Sequence, residues 1–524
     1  MSGHFTACSN RSKRFTNGRA LLSARVILAT LIVAANFGVD IAALSADTDP
    51  SGSIQLTVGR DPESPKVRFE LNGRPYYPII YSELLNNFTP QLVADVRAKG
   101  FNMVQVALDA EEADSPRLPE IMTLCKEAGL PVLLEVNEWE FWASLKDRPE
   151  LNMVMSDSKR VKYFPDYANP ETRREHLTRY AHAADAARRW AHQPIVAVSV
   201  GAYDAYHLPD GEIHDDFVVP NQTNEFQTRL AYGPWSREAF LRYLATSGVN
   251  AATIGVMDFD KPIELPTTPR DALGEEHWRS WILYRRSLVK SWLADTVETM
   301  RQRTGLPVGV SLDLNFTRRE KYATPPFEWS SILDFASVYC YGREPDAGYV
   351  PGLMRSVWRE YTVAGVPLIG FLEFSSGLAG ATPGDAYARQ CAPFAAGLMT
   401  TSARPDRKHG QDRVDLFVGW AAGRGQAELL SSAPVPAKVL VVSNRGRIYN
   451  KRSVERALAK AAIQFDVEYA DSSWKGDNVG PYDYVVVDAG IALPASSAAE
   501  RGPRILHADE LPALLDTMRG NRGK

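Results

Sequence analysis

Four cysteines in 524 residues, with no CxxC pair among them, exclude a disulfide-stapled scaffold and a zinc-built one. Cys8 falls in the leader described below, so Cys125, Cys340 and Cys391 leave room for at most one disulfide. Cys125, in a helical pattern, and Cys340, in a strand pattern, read as small buried hydrophobes. The histidines form no cluster at metal-ligand spacing, so no metal site is expected. The chain also lacks a phosphate loop, a glycine-rich turn after its first strand and a GxSxG elbow. Nucleotide chemistry and serine-hydrolase chemistry are therefore not indicated, and no cofactor is required. A formal net charge of -4 and the lack of a basic stripe after residue 45 argue against a nucleic-acid partner. No repeat at solenoid period and no low-complexity tract occurs.

What is present begins with a leader. Arg11, Lys13, Arg14, Arg19 and Arg25 precede the apolar segment Val26 to Asn36, and the small residues Ala42-Ala43-Leu44-Ser45-Ala46 follow. This layout predicts a secretory signal over residues 1–46, cleaved near Ser45 or Ala46, and a secreted or periplasmic protein with no stable membrane insertion. Left uncleaved, the same segment would be a membrane anchor, although Phe37-Gly38 and Asp40 interrupt it. No other segment is long and apolar enough to span a bilayer.

After a strand from Val67 to Leu71 and the turn Asn72-Gly73, short apolar runs alternate with longer helical patterns. Eight runs are read as strands: Tyr77 to Tyr81, Met103 to Leu108, Val132 to Val136, Ile195 to Val200, Val308 to Leu312, Phe335 to Tyr339, Leu368 to Leu372 and Val414 to Val418. Helices are expected over Pro90 to Lys99, Leu118 to Ala128, Glu171 to Ala191, Glu275 to Arg303, Gly352 to Ala364 and Asp385 to Thr400. Gly100, Gly129, Gly305 and Gly365 stand at helix stops. Eight such units in roughly 350 residues predict an α/β fold, a (β/α)8 TIM barrel, over residues 47–430. A doubly wound open sheet is the alternative. The Ser431-Ser432-Ala433-Pro434-Val435-Pro436 segment reads as a linker to a small α/β domain over residues 437–524, of flavodoxin-like or amidotransferase-like size.

In such a barrel the chemistry stands at strand C-termini. Those positions hold Glu83, Asp109 and Glu111, Asn137, Glu138 and Glu140, Tyr203, Asp204 and His207, Asp313 and Asn315, Tyr341 and Arg343, then Glu373 and Trp420. Glu373 ends the apolar run Val366 to Leu372, where a carboxylate is costly to desolvate and is either paired, for example with Arg343, or used in chemistry. Carboxylates converging with Trp139, Trp142, Tyr341 and Trp420 suit a carbohydrate, since sugar faces stack on aromatics and glycosidic cleavage needs two carboxylates. The plainer reading is that Asp109 or Glu111 caps the next helix and that the aromatics are packed in the core or rim.

The stretch from Asn169-Pro170-Glu171 through Tyr180 and Trp190 to Ile195-Val196-Ala197-Val198-Ser199-Val200-Gly201 resembles the third helix and fourth strand of glycoside hydrolase family 42, the β-galactosidases, and of their clan A relatives. Ser236-Arg237-Glu238-Ala239-Phe240-Leu241-Arg242-Tyr243-Leu244 resembles the helix after that strand. The resemblance implies that Glu373, ending the seventh strand, is the nucleophile of a retaining glycosidase and that Tyr341 touches it. Trp420, Asp313, Asn315, Trp139 and Asp109 would then help bind the sugar. The clan's acid/base ends the fourth strand in an Asn-Glu pair, where this chain has Gly201-Ala202-Tyr203-Asp204. Asp204 could donate the proton there. Glu138, in the Asn137-Glu138 pair after the third strand, is a second candidate, and its use could change the outcome from retention to inversion. The missing pair also leaves open a carbohydrate-binding barrel without turnover. The terminal domain resembles a trimerisation domain cut short, which implies a possible homo-oligomer.

Overall fold

A computed structural model describes residues 53–60, 66–155, 160–201, 231–254, 272–313, 326–341, 349–373, 384–401, 410–434, 436–444, 463–470, 479–487 and 503–520, with short stretches between them that include 212–214, 217–219 and 263–266. An antiparallel sheet comes first, made of β1 (Leu56–Arg60), β2 (Val67–Leu71) and β3 (Arg74–Tyr76). Asn72 and Gly73 join β2 to β3 at φ 51° and 73°. Both values are positive, as a type I′ hairpin turn demands, and Asn-Gly meets that demand at least cost.

Next come β4 (Ile79–Leu84), β5 (Met103–Asp109) and β6 (Val132–Asn137), then a hairpin of β7 (Asn152–Val154) and β8 (Arg160–Pro165). β9 (Ile195–Val200) follows, with a second hairpin of β10 (Glu212–His214) and β11 (Phe217–Val219) beyond it. β12 (Val308–Asp313), β13 (Phe335–Tyr341), β14 (Leu368–Glu373) and β15 (Gly397–Thr401) complete the set. Eight of these strands pair in the order β12-β13-β14-β15-β4-β5-β6-β9, all parallel, and β9 closes on β12. The expected TIM barrel is the fold, and β14 is its seventh strand.

Helices α1 (Pro90–Ala98), α2 (Arg117–Glu127), α3 (Trp139–Ser144), α4 (Pro170–Arg188), α5 (Pro234–Thr246), α6 (Glu275–Thr304), α7 (Tyr349–Ala364), α8 (Gly384–Cys391) and α9 (Gly410–Ser431) lie between or after the strands. Gly305 closes α6 in the left-handed region at φ 71°, as its stop position implied.

One strand is not where it was expected. Val414 to Val418 lies inside α9, and the eighth strand is Gly397–Thr401, overlapping the end of the stretch read as a helix from Asp385 to Thr400. The reason is periodicity. Val414, Phe417, Val418 and Ala421 are buried at i, i+3, i+4 and i+7, while Leu416 between them is exposed, so the run forms one face of a helix. The true strand is only five residues long and opens on glycine, which leaves little alternation to detect.

Two apolar layers follow from strand alternation. Val104, Val106 and Leu108, like Val132, Leu134 and Val136, pack outward under the helices. Met103, Leu133, Ala197, Phe335, Ile369, Phe371 and Met399 pack inward, and Leu56, Phe69 and Tyr76 of the antiparallel sheet join that inner cluster. Lys66, buried, donates from Nζ to the carbonyl oxygens of Ala392, at 2.9 Å, and Leu429, at 3.2 Å, so the chain ahead of β2 is tied to the ends of α8 and α9.

Beyond α9, β16 (Val439–Asn444), β17 (Phe465–Ala470), β18 (Tyr484–Val487) and β19 (Arg504–His507) form a parallel sheet in the order β17-β16-β18-β19, and α10 (Leu511–Gly520) ends the described chain. The edge strand β17 lies against α7 of the barrel. Arg355 Nε donates to Asp466 Oδ1 at 2.9 Å with both side chains buried, and Arg359 reaches Glu468 and the Tyr482 hydroxyl at 2.9 Å each. An open strand edge is a pairing hazard, and here a helix covers it. Cys125 and Cys391 are both free buried thiols, so no disulfide joins them. Among the described residues no helix is long and apolar enough to cross a membrane.

Candidate active site

The strand ends that carry the expected residues fall into two groups around the barrel. In the first, Asp109 of β5 is the register partner of Asn137 of β6. In the second, Tyr341 of β13 is the register partner of Glu373 of β14, and Asp313 of β12 pairs with Tyr339. Four strand steps separate β6 from β14, half the barrel's circumference. Glu373 stands two positions beyond Phe371, which belongs to the inward-packed set. Asp204 and Asn315 lie outside the described residues.

Asp109 is a cap. Its Oδ1 accepts from the Glu111 amide at 3.1 Å and its Oδ2 from the Glu140 amide at 3.1 Å, so one carboxylate serves two helical starts. Burial pushes its pKa up to about 6, against the opposing pull of the Glu140 and Trp139 amides. Glu112 reciprocates by accepting from the Asp109 amide, completing a capping box. These contacts are what the plainer reading of Asp109 anticipated.

Glu138 is buried at the start of α3, and its Oε2 lies 2.5 Å from His176 Nδ1 of α4. The other ring nitrogen of His176 lies 2.6 Å from Thr296 Oγ1 of α6. His176 also packs its ring on Trp292 at a centroid distance of 4.2 Å. The carboxyl of Glu138 is therefore turned into the helix layer. Burial raises its pKa, and the His176 interaction opposes that rise.

Trp139 opens α3 with 45% of its surface exposed. Trp420 requires a correction: it lies in α9 and closes no strand. There its ring is flanked by the guanidinium groups of Arg424, at 5.0 Å, and Arg389, at 5.8 Å. Its place follows from the helical period that displaced the eighth strand.

Sequence reasoning passed over Glu135 in the middle of β6. Its Oε2 accepts from Gln105 Nε2 at 2.7 Å and its Oε1 from Asn137 Nδ2 at 3.0 Å, all three residues being buried. Burial pushes its pKa up to about 7, while the two amide donors oppose the shift. The signal was present in the chain, because a period-two reading of Leu133, Glu135 and Asn137 puts all three on one face. His176 carried no such signal; its partners Glu138 and Thr296 are 38 and 120 residues away.

A parallel eight-stranded barrel with outer helices, acidic at its strand ends and followed by a parallel sheet, defines the class of molecule. The fold is similar to that of a β-galactosidase from the psychrophilic Marinomonas ef1, with TM-score 0.59 and 13% identity over 82% of this chain and 75% of that one. It is also similar to a β-galactosidase from Bacillus circulans sp. alkalophilus, with TM-score 0.55 and 13% identity over 79% and 67%. At this identity the likeness is one of fold. Neither a family model nor a curated protein matches the chain.

Proposed function

We propose that the protein is an exported glycoside hydrolase that cleaves β-linked oligo- or polysaccharides at the C-terminal mouth of the barrel, with retention. The observation that carries this reading is the position of Glu373, which closes the seventh strand in register with Tyr341 in a barrel shared with two β-galactosidases. Glu373 attacks the anomeric carbon, and a second carboxyl protonates the leaving oxygen. Asp204, after the fourth strand, is assigned that second role. Glu138 is less suited to it, because its carboxyl is held by His176 toward the helix layer. Tyr341, Asp313, Asn315 and Trp139 are assigned to sugar binding.

The engagement of Glu138 also supports a second reading, a carbohydrate-binding barrel without turnover, since it leaves Asp204 as the sole remaining donor candidate. Hydrolysis and binding across a panel of aryl β-glycosides separate the two. Wild type should turn over at least one of them, and Glu373→Gln and Asp204→Asn should each lose about a hundredfold or more in kcat. Turnover that survives Glu373→Gln removes the nucleophile assignment. Binding with no turnover by wild type selects the second reading.

A further inference from the structure

Along the inside of the barrel the side chains change character over one step of the strand. Met103, Leu133, Ala197 and Phe335 belong to the apolar inner cluster. Two residues further along the same four strands stand Gln105, Glu135, Ser199 and Ser337, all buried. Ser311, two residues beyond Gly309 on β12, joins them and is the register partner of Ser337, while Ser199 is the register partner of Glu135. Asn137 completes the set one step higher on β6. The change from apolar to polar thus runs through five of the eight strands.

Five of these polar atoms have no partner among the described residues: Gln105 Oε1, Asn137 Oδ1 and the hydroxyls of Ser199, Ser311 and Ser337. A single buried polar group left unpaired lowers the folding equilibrium about tenfold. Five left dry would cancel a large part of the net stability of an ordinary domain. Such a set in one layer therefore needs a partner small enough to be enclosed. Water is the smallest group that both donates and accepts, and it can donate to the two amide oxygens and exchange bonds with three hydroxyls.

Glu135 explains why both amides offer oxygen. An ionised carboxylate only accepts, so Gln105 and Asn137 turn their NH2 groups to it and their carbonyls away. We propose that the barrel interior beneath the mouth is a water-binding well, lined by Gln105, Asn137, Ser199, Ser311 and Ser337, in which Glu135 is the positioning residue that aims both amide oxygens at the enclosed water. Asn137, which closes β6, links the well to the strand ends. The proposal stands independently of the sugar chemistry assigned above.

A high-resolution crystal structure of the ligand-free full chain at about pH 8.5, above the raised pKa of Glu135, tests it directly. Ordered waters bonded to at least three of the five atoms are expected. A dry interior overturns the proposal, as does an Asn137 amide whose nitrogen points away from Glu135. In solution, Ser199→Ala, Ser311→Ala and Ser337→Ala should each lower Tm by about 1–3 °C. Unchanged or raised Tm values would mean that the hydroxyls had no partner to lose. Glu135→Gln sets an NH2 against two others, forcing one amide to flip, and should lower Tm by several degrees. Adding Asn137→Asp supplies an acceptor for the new NH2 and should recover at least half of the loss; a failure to recover removes the positioning role. No step uses a substrate, so absence of glycosidase activity would leave these results intact.

Discussion

His176 Nδ1 lies 2.5 Å from Glu138 Oε2, and Thr296 Oγ1 lies 2.6 Å from the opposite ring nitrogen. Thr296 Oγ1 also lies 2.9 Å from the Trp292 carbonyl oxygen one turn back along α6, which fixes the hydroxyl against the imidazole. The buried His176–Glu138 pair ties the end of the third barrel strand to α4 and α6.

Removing the imidazole leaves a buried carboxyl without its partner, which is the costly way to break such a pair. His176→Ala should lose about 3–5 kcal/mol in urea unfolding. Glu138→Gln keeps a group able to hydrogen-bond Nδ1 and should cost less. If Glu138 has no part in proton transfer, Glu138→Gln should also retain turnover of any aryl β-glycoside that wild type cleaves, within about threefold. A loss of about a hundredfold would return the acid role to it.

Glu135 makes stability depend on pH in an unusual direction for a carboxyl. Its pKa rises from 4.5 to about 7 on folding, so between those values the native state holds a proton that the unfolded chain has lost. The stabilisation is fully present below pH 4.5 and is lost as pH rises through about 7. The difference in unfolding free energy between wild type and Glu135→Gln should fall by up to about 3 kcal/mol across that window and stay flat above it. A difference that is flat throughout, or that rises with pH, would show that Glu135 is not raised. Asp109 shifts in the same sense but is common to both proteins.

The terminal sheet is held by Arg355. Arg355→Ala strands Asp466 in a buried site and should cost about 3–5 kcal/mol. Because the lost contact joins α7 to β17, limited proteolysis should detect it before global unfolding does. Equal cleavage rates in variant and wild type would show that the ion pair is not what seats the sheet.

Gly309 sits where a Cβ would fall 2.4 Å from Phe335 Cε2 inside the barrel. Gly309→Ala should lower stability by about 1–3 kcal/mol through overpacking, measured by thermal unfolding. A neutral effect would mean that the Phe335 ring has room to shift.

Much of this architecture is local chemistry written in order along the chain. β-rich apolar runs, helical periods between them and glycines at helix stops specify alternating strands and helices, because each signal depends only on near neighbours. Seven of the eight barrel strands were legible that way, as was the position of Glu373 at the end of the seventh. The eighth was misread where Val414, Phe417 and Val418 sit close enough to pass for a strand, although their spacing is helical.

Only the tertiary structure decided which polar residues meet. Closure of the sheet brings Gln105, Glu135, Ser199, Ser311 and Ser337 from five strands into one enclosed layer, and no local pattern marks a Ser as facing four others across a barrel. The same holds for Glu138, whose neighbour Asn137 turns inward to Glu135 while Glu138 turns outward to His176. Successive residues at a strand end point to opposite faces, and the helices packed outside supply the partner. Spacing along the chain fixes which face a residue takes, but burial and partnership arise only when distant segments pack.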